Sequence, residues 1–238
     1  MMEFDLHIHS KFSFDSVLEP KTILKVARKK GLSGIAITDH NTIKGAIEAL
    51  KMHPNDLFII CGAEIETEYG DILGLFLNEE IKSRSFLNVV DEIKEQGGLV
   101  ILPHPFKRNK EIRDEIIKNI DAIEGLNART PRILNIRAQE LAKANNLPVT
   151  AGSDAHFAFE IGRARTIIKK DVNDIEDIKQ AIRKHGQTSI VGTESSEYVE
   201  CFSQIIKMFR RKEFNLLPLI IRKVMWISAS KVIKKLKR

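Results

Sequence analysis

The sequence predicts an α/β fold, a closed or nearly closed β/α barrel, on three observations. Over the first two hundred residues short apolar runs alternate with longer amphipathic ones, the rhythm of repeated β-α units around parallel strands. At least six of the short runs end in His, Asp, Glu or Asn; a barrel brings that many strand ends to one rim, whereas an open sheet has a single switch point. Neither GxGxxG nor GxxxxGK followed by Ser or Thr is present, so nucleotide-cofactor folds lack their usual sequence support.

Residues 4–8 form the first strand candidate, followed by a helical pattern through Ile23, Leu24, Val26 and Ala27 that Gly31 stops. Residues 34–38 are the next strand and 42–51 a helix. Strands at 57–61 and 71–77 follow, with Glu64 expected in the turn between them. A helix over 82–96 ends at Gly97-Gly98, and 99–102 is a short buried strand. Then come a helix at 112–119, a strand at 122–124, and a helix at 131–145 with Pro131 near its start. Strands at 148–151 and 164–168 precede a helix at 174–184, which ends at Gly186.

With 43% hydrophobic residues the chain can bury a sizeable core, which excludes disorder. Cys61 and Cys201 lie far apart without metal or redox spacing and read as buried thiols. No signal-peptide core and no apolar run long enough to span a bilayer is visible, so a cytoplasmic protein is expected. The net charge of +6 is unevenly spread. Residues 201–238 hold eleven Lys or Arg against Glu213 alone, a net of +10, which leaves −4 on residues 1–200. The expected division is therefore a catalytic body at 1–195 and a basic helical extension at 196–238. Helices at 197–212 and 216–236 are expected there, closing the bottom or side of the barrel; contact with RNA or DNA phosphates, a membrane surface or a partner helix are the other readings.

Five of the seven histidines fall at strand ends beside carboxylates: Asp5-Leu6-His7-Ile8-His9, Thr38-Asp39-His40, Pro103-His104-Pro105 and Ser153-Asp154-Ala155-His156. Histidine and carboxylate gathered this way point to a metal site. His7 and His9 project on one face of a strand, and Asp5 is expected to orient one of the rings. Pro105 is expected to hold His104 in extended backbone. Gly62 is expected to turn the chain and bring Glu64 inward, in preference to Glu66 or Glu68. Asp15 is a further ligand candidate, while His53 and His185 read as surface residues. His7, His9, Asp15, His40, Glu64, His104, Asp154 and His156 make eight ligand candidates, more than one ion needs. Two or three divalent ions (Mn, Zn or Fe) are expected.

In order along residues 1–195, these motifs resemble the PHP family, named for polymerase and histidinol phosphatase. The resemblance implies a distorted seven-stranded β/α barrel with a trinuclear site. It places His7, His9, Glu64 and Asp154 on one ion, Glu64 and His104 on a second, and Asp15, His40 and His156 on a third. Where many members carry a further histidine after the sixth strand this chain has Asn127, a weaker and neutral donor.

The implied function is a metal-dependent phosphoesterase acting on a phosphomonoester or nucleotide, with hydroxide made available by the metals attacking phosphorus in line. His7, His9, His104 and Asp154 belong to that machinery. Lys107, Arg108, Arg129, Arg163 and Arg165 are candidate phosphate clamps, Arg129 and Arg163 foremost, and Asp39 is a candidate proton donor. A nuclease for short RNA or DNA and a non-catalytic nucleic-acid-binding subunit are the alternatives. An amidohydrolase-like site lacks support, since no metal-bridging lysine is evident.

Overall fold

The residues described by the computed structural model, 1–52, 55–169 and 172–236 with side chains through 230, contain one sheet of nine strands in the order β7-β6-β5-β4-β3-β2-β1-β8-β9. His53 lies outside the described residues. The strands are β1 (Met2–Ile8), β2 (Gly34–His40), β3 (Phe58–Thr67), β4 (Gly70–Leu75), β5 (Leu99–Leu102), β6 (Ala122–Asn127), β7 (Val149–Gly152), β8 (Ala164–Ile168) and β9 (Thr188–Gly192). The sheet curls until β7 meets β1: Ile8 bridges Ala155, and the His9 N–H donates to the Ala155 carbonyl at 2.9 Å. Seven strands thus go round a distorted, nearly closed barrel, with the β8–β9 hairpin paired to the start of β1 on its β7 side, where Thr166 Oγ1 hydrogen-bonds with the Ala151 backbone.

Not every strand is parallel. β1, β2 and β3 run together, as do β5, β6 and β7, but β4 is antiparallel to both of its neighbours. That hairpin extends β3 to Thr67, so Glu64 lies inside a strand opposite Leu73 and not in a turn. Gly62 is mid-strand as well; a Cβ there would meet the Gly74 carbonyl at 2.8 Å. β9 was not anticipated; its short Thr188–Gly192 run is half-buried and lacks the apolar density of the inner strands.

Six helices flank the barrel: α1 (Pro20–Lys29), α2 (Lys44–Leu50), α3 (Phe86–Glu95), α4 (Asp114–Asn119), α5 (Arg132–Ala144) and α6 (Ile175–Arg183). Two more, α7 (Glu197–Arg211) and α8 (Leu217–Leu236), form the extension. Alternation along the strands divides the core. Ile35 and Ile37 of β2, Ile59 and Cys61 of β3, and Val100 and Leu102 of β5 pack against helices, burying Phe86, Val89 and Ile93 of α3. Their neighbours Ala36, Ile60, Leu99 and Ile101 join Phe4, Leu6, Leu73 and Leu75 in a second cluster, closed by Ile178, Ala181 and Ile182 of α6. Each fully buried Ile or Leu contributes roughly 1.5–3 kcal/mol. The apolar plug fills the lower barrel, and the polar residues gather above it.

Two glycines make room at the upper end. A Cβ on Gly152 would run into the His7 side chain and come within 2.8 Å of the His7 nitrogen, and one on Gly45 would collide with Asp39 and Ser10. Neither neighbour can retreat, because both are buried and hydrogen-bonded. Gly152→Ala is expected to destabilise by about 3 kcal/mol, the scale of overpacking a tight interior. A thermal melt checks this; a drop of about 6 °C or more is expected.

Candidate metal centre

The barrel's upper rim is lined by imidazoles and carboxylates from different elements. His7 ends β1 and His9 follows it; His40 ends β2, Glu64 stands in β3, His104 follows β5, and Asp154 and His156 follow β7. All eight sequence-predicted ligands converge. The Glu64 carboxylate is their centre: its oxygens lie 2.9 Å from His104 Nε2, 3.1 Å from His40 Nδ1, 3.4 Å from His9 Nε2 and 3.7 Å from His7 Nε2. Asp154 Oδ1 lies 3.3 Å from His9 Nε2. On the other side Asp15 Oδ2 is 3.2 Å from His156 Nε2 and 3.4 Å from His40 Nε2. Glu66 is exposed, and Glu68 accepts the Phe86 N–H, so Glu64 alone of the three enters the cluster. His185 is exposed away from it.

Hydrogen bonds settle which ring nitrogens face inward. His7 Nδ1 donates to Glu124 Oε1 at 3.0 Å. Ser13 Oγ gives its only proton to Asp39 Oδ1 at 2.6 Å, so it accepts from His9 Nδ1 at 3.1 Å. His156 Nδ1 donates to the Asp154 carbonyl at 2.8 Å. With both Nδ1 atoms committed as donors, the Nε2 atoms of His7 and His9 face each other 3.1 Å apart. One hydrogen is shared between them, carried by a His7 charged at both ring nitrogens, and a bound ion would take that proton's place. Burial opposes a proton on His7, yet Glu124, Asp154 and Glu64 outweigh it and hold its pKa well above the usual value. Burial together with His156 and His40 pushes His9 down to about 3.

Asp15 Oδ1 is buried without a hydrogen-bond partner, a carboxylate oxygen that an ion would satisfy. Burial opposes charge on Asp15 too, but His156 and His40 prevail and hold its carboxyl well below the ordinary range. Among the described residues four trios place one ligand atom each within 4.8 Å of one another: His9, His40 and His156; His7, His104 and Asp154; His7, His9 and Glu64; and Glu64, Asp71 and His104. Mixed nitrogen and oxygen donors at this spacing fit divalent transition ions.

Several expectations need correction. Asp5 does not orient an imidazole: the register of β1 shifts between Asp5 and Ile8, and its oxygens accept from Ser153 N–H at 2.8 Å and Gly162 N–H at 2.7 Å. Burial raises its pKa to about 6. Glu124 orients His7 instead, and its other oxygen accepts the His104 N–H at 2.9 Å. His104 is not extended despite Pro105. Its φ is +28°, and Asp154 has φ +53°. Left-handed backbone at non-glycine residues costs roughly 1–3 kcal/mol and persists because the surrounding contacts fix it.

Asp39 does not meet the cleft. It accepts from Ser10 N–H, Ser10 Oγ and Ser13 Oγ, all at 2.6 Å, and braces the loop that carries Asp15. Asn127 is committed to hydrogen bonds within the protein. Its Oδ1 accepts the Arg129 N–H at 2.9 Å, so its Nδ2 donates to Glu124 at 3.0 Å and Asp154 at 3.3 Å. Arg163 points to the Glu194 carbonyl and Arg165 to the Gly162 carbonyl, both away from the centre.

Above the ligands opens a cleft of about 130 Å³. Lys107 is held by Asp154 at 3.1 Å, Arg108 by Asp71 at 3.1 Å, and Arg129 by Glu160 at 2.8 Å. All three cations line the cleft, as does Asp71, which the sequence reading missed. Burial and the nearby Glu64 charge raise the Asp71 pKa. The fourth wall is α7, through Glu200, Ser203 and Gln204. The extension therefore lies on the rim of the site, and not at the bottom of the barrel. Ser203 Oγ accepts from Arg129 at 2.9 Å; Arg210 donates to the Lys11 and Ser13 carbonyls at 2.9 and 2.7 Å; Arg211 stacks over Phe14 at 3.8 Å.

A family model described as PHP-associated matches residues 132–186. Two uncharacterized proteins of Methanocaldococcus jannaschii are similar in sequence. MJ1587 is 46% identical over 53% of this chain and 82% of its own length; MJ0417 is 38% identical over 68% of this chain and 69% of its own. Among solved structures, a two-domain protein of Bacteroides vulgatus described as containing a PHP-like metal-dependent phosphoesterase superposes with a TM-score of 0.72. That match has 18% identity and covers 86% of this chain and 69% of that one. The chain belongs to the PHP family.

In this PHP barrel the ligands depend on a supporting layer of Glu124, Asn127 and Ser13. Glu124 was legible as an anomaly, a carboxylate inside the short apolar run of β6, 1% exposed and thus in need of a partner. Asp71 gave no such signal, because it opens an antiparallel strand and reaches the rim from the end that parallel-barrel reasoning ignores. Glu124→Gln is expected to weaken metal binding about 10- to 100-fold while leaving the fold intact. A chelator-competition titration with Mn²⁺, alongside a circular-dichroism spectrum, measures both.

Proposed function

We propose that this PHP protein is a metal-dependent phosphoesterase that hydrolyses a small phosphomonoester or nucleotide. The observation that carries this reading is the set of three cations, Lys107, Arg108 and Arg129, facing the ligand cluster across one small cleft. Bound at His7, His9, His40, His104, His156, Glu64, Asp154 and Asp15, divalent ions would supply Lewis acidity and lower the pKa of a water. The protein's own groups do the rest. Lys107 and Arg108 can each share charge with a phosphoryl oxygen while held by Asp154 and Asp71. Arg129 has Nε and Nη2 committed to Glu160 and Ser203, which leaves Nη1 for the substrate.

The α7 wall favours a small substrate over a polymer. Glu200, Ser203 and Gln204 close one side of the cleft, and a volume of about 130 Å³ suits a phosphoryl group with a compact leaving group. Pockets for drug-sized ligands are roughly 300–1,000 Å³.

The test is a hydrolysis panel on the full chain supplemented with Mn²⁺, Zn²⁺ or Fe²⁺: an aryl phosphate, histidinol phosphate, mononucleotides, nucleoside bisphosphates and short RNA. Metal-dependent release of phosphate from monoesters, abolished by chelation, is expected. Cleavage of RNA with the monoesters untouched would replace this reading with a nuclease, and inactivity on every ester at full metal occupancy would end it. Lys107→Met is expected to raise KM about tenfold or more, with a smaller change in kcat, if Lys107 binds the ground-state phosphate.

A further inference from the structure

The helix α8 is apolar on two sides, and only one of them is covered. Ile220 and Ile227 are buried, and with the half-buried Val224 they pack on Cys201 and Met208 of α7. At 100° per residue, Pro218, Leu219, Ile221, Met225, Trp226 and Ala229 fall on the remaining arc. Leu219 is 58% exposed, Ile221 51%, Met225 66% and Trp226 64%. A helix apolar all round is ordinarily buried on every side, so this face is built to meet something. Phe209 and Phe214, also exposed, pack edge to face on each other where α7 gives way to α8.

Charge narrows the choice of occupant. The exposed Arg222 stands within this arc and the exposed Lys212 precedes the helix, in a segment of eleven basic residues and one acid. A groove beside Trp226 is lined by Leu219, Arg222 and Lys223, which sets apolar surface and cations together. A second copy of the chain would bring like charge onto like charge. A nucleic acid would satisfy the cations but leave Leu219, Ile221 and Met225 in water. An anionic bilayer satisfies both, its headgroups pairing with the cations and its acyl boundary accepting the apolar face. No described helix is long and apolar enough to cross a membrane, so the contact is at the surface.

We propose that the exposed face of α8, centred on Leu219, Met225 and Trp226, docks this protein on anionic lipid bilayers. Because α8 packs on α7, and α7 walls the metal cleft, docking would hold the cleft at a fixed height over the membrane. The inference stands apart from the reaction catalysed, since it uses none of the cleft residues.

Trp226 is the chain's single tryptophan, so its fluorescence reports on this face alone. The full-length protein is mixed with vesicles of pure phosphatidylcholine or of phosphatidylcholine with about a third phosphatidylglycerol, then sedimented. A blue shift and co-sedimentation with the anionic vesicles only, weakening as salt is raised, are expected. Leu219→Ser with Met225→Ser, both exposed and so compatible with folding, should reduce partition about tenfold or more. Leu87→Ser, at an exposed site on α3, should not change it. Absence of any shift with anionic vesicles would overturn the proposal. So would an equal shift with short RNA, or a concentration-dependent shift without lipid that marks self-association.

Discussion

Burial of the Glu64 carboxylate is the constraint around which the upper barrel is organised. At 3% exposure it cannot be stabilised by water, and an unpaired buried charge costs several kcal/mol even after relaxation. Burial alone would raise its pKa, but His7, His40 and His104 reverse that and hold it well below the usual value. Its partners come from β1, β2 and β5, strands far apart in sequence. Each must end at the same height, so one side chain in β3 sets a requirement on the register of the others. The His40–Glu64 pairing in the β2–β3 ladder meets that requirement directly.

Imidazoles and carboxylates in contact do not by themselves make a metal centre; their lone pairs must also point inward. Glu124, Ser13 and the Asp154 carbonyl do this by occupying the Nδ1 positions of His7, His9 and His156. Behind them Asp39 holds Ser13, and Asn127 holds Glu124 and Asp154. The left-handed backbone at His104 and Asp154 belongs to the same arrangement: strain at the ligands is sustained by hydrogen bonds in the layer below. Gly152 and Gly45 give that layer the space it needs.

The residues that converge on the rim were legible in the sequence because each, Asp15 apart, is of a metal-binding type at or near the end of an apolar run, and strand ends of a barrel converge whatever their sequence distance. What supports or shapes them was less legible. Glu64 read as a turn residue because the β3–β4 hairpin is a tertiary pairing with no Asn-Gly or Asp-Gly mark. Local reasoning from Pro105 placed His104 in extended backbone, and the contacts to Glu64 and Glu124 overrode it. Arg163 and Arg129 looked equivalent as cations near rim loops, yet only Arg129 has a buried carboxylate, Glu160, to aim it into the cleft. The amphipathic pattern of α7 showed that it packs on something; the tether of Arg210 to the 11–13 loop shows where.

The extension thus joins two features at opposite faces of one helix pair, a charged wall on the cleft and an apolar surface open to its surroundings. The rim cluster would hold metal through donors already turned to receive it. Anomalous diffraction from crystals grown with Mn²⁺ tests this most directly. At least two strong peaks are expected about 2.0–2.3 Å from the imidazole nitrogens and carboxylate oxygens of the cluster, one of them contacting both His7 and His9. A map without peaks on the rim at saturating Mn²⁺, or with peaks only at exposed acidic residues, would contradict it.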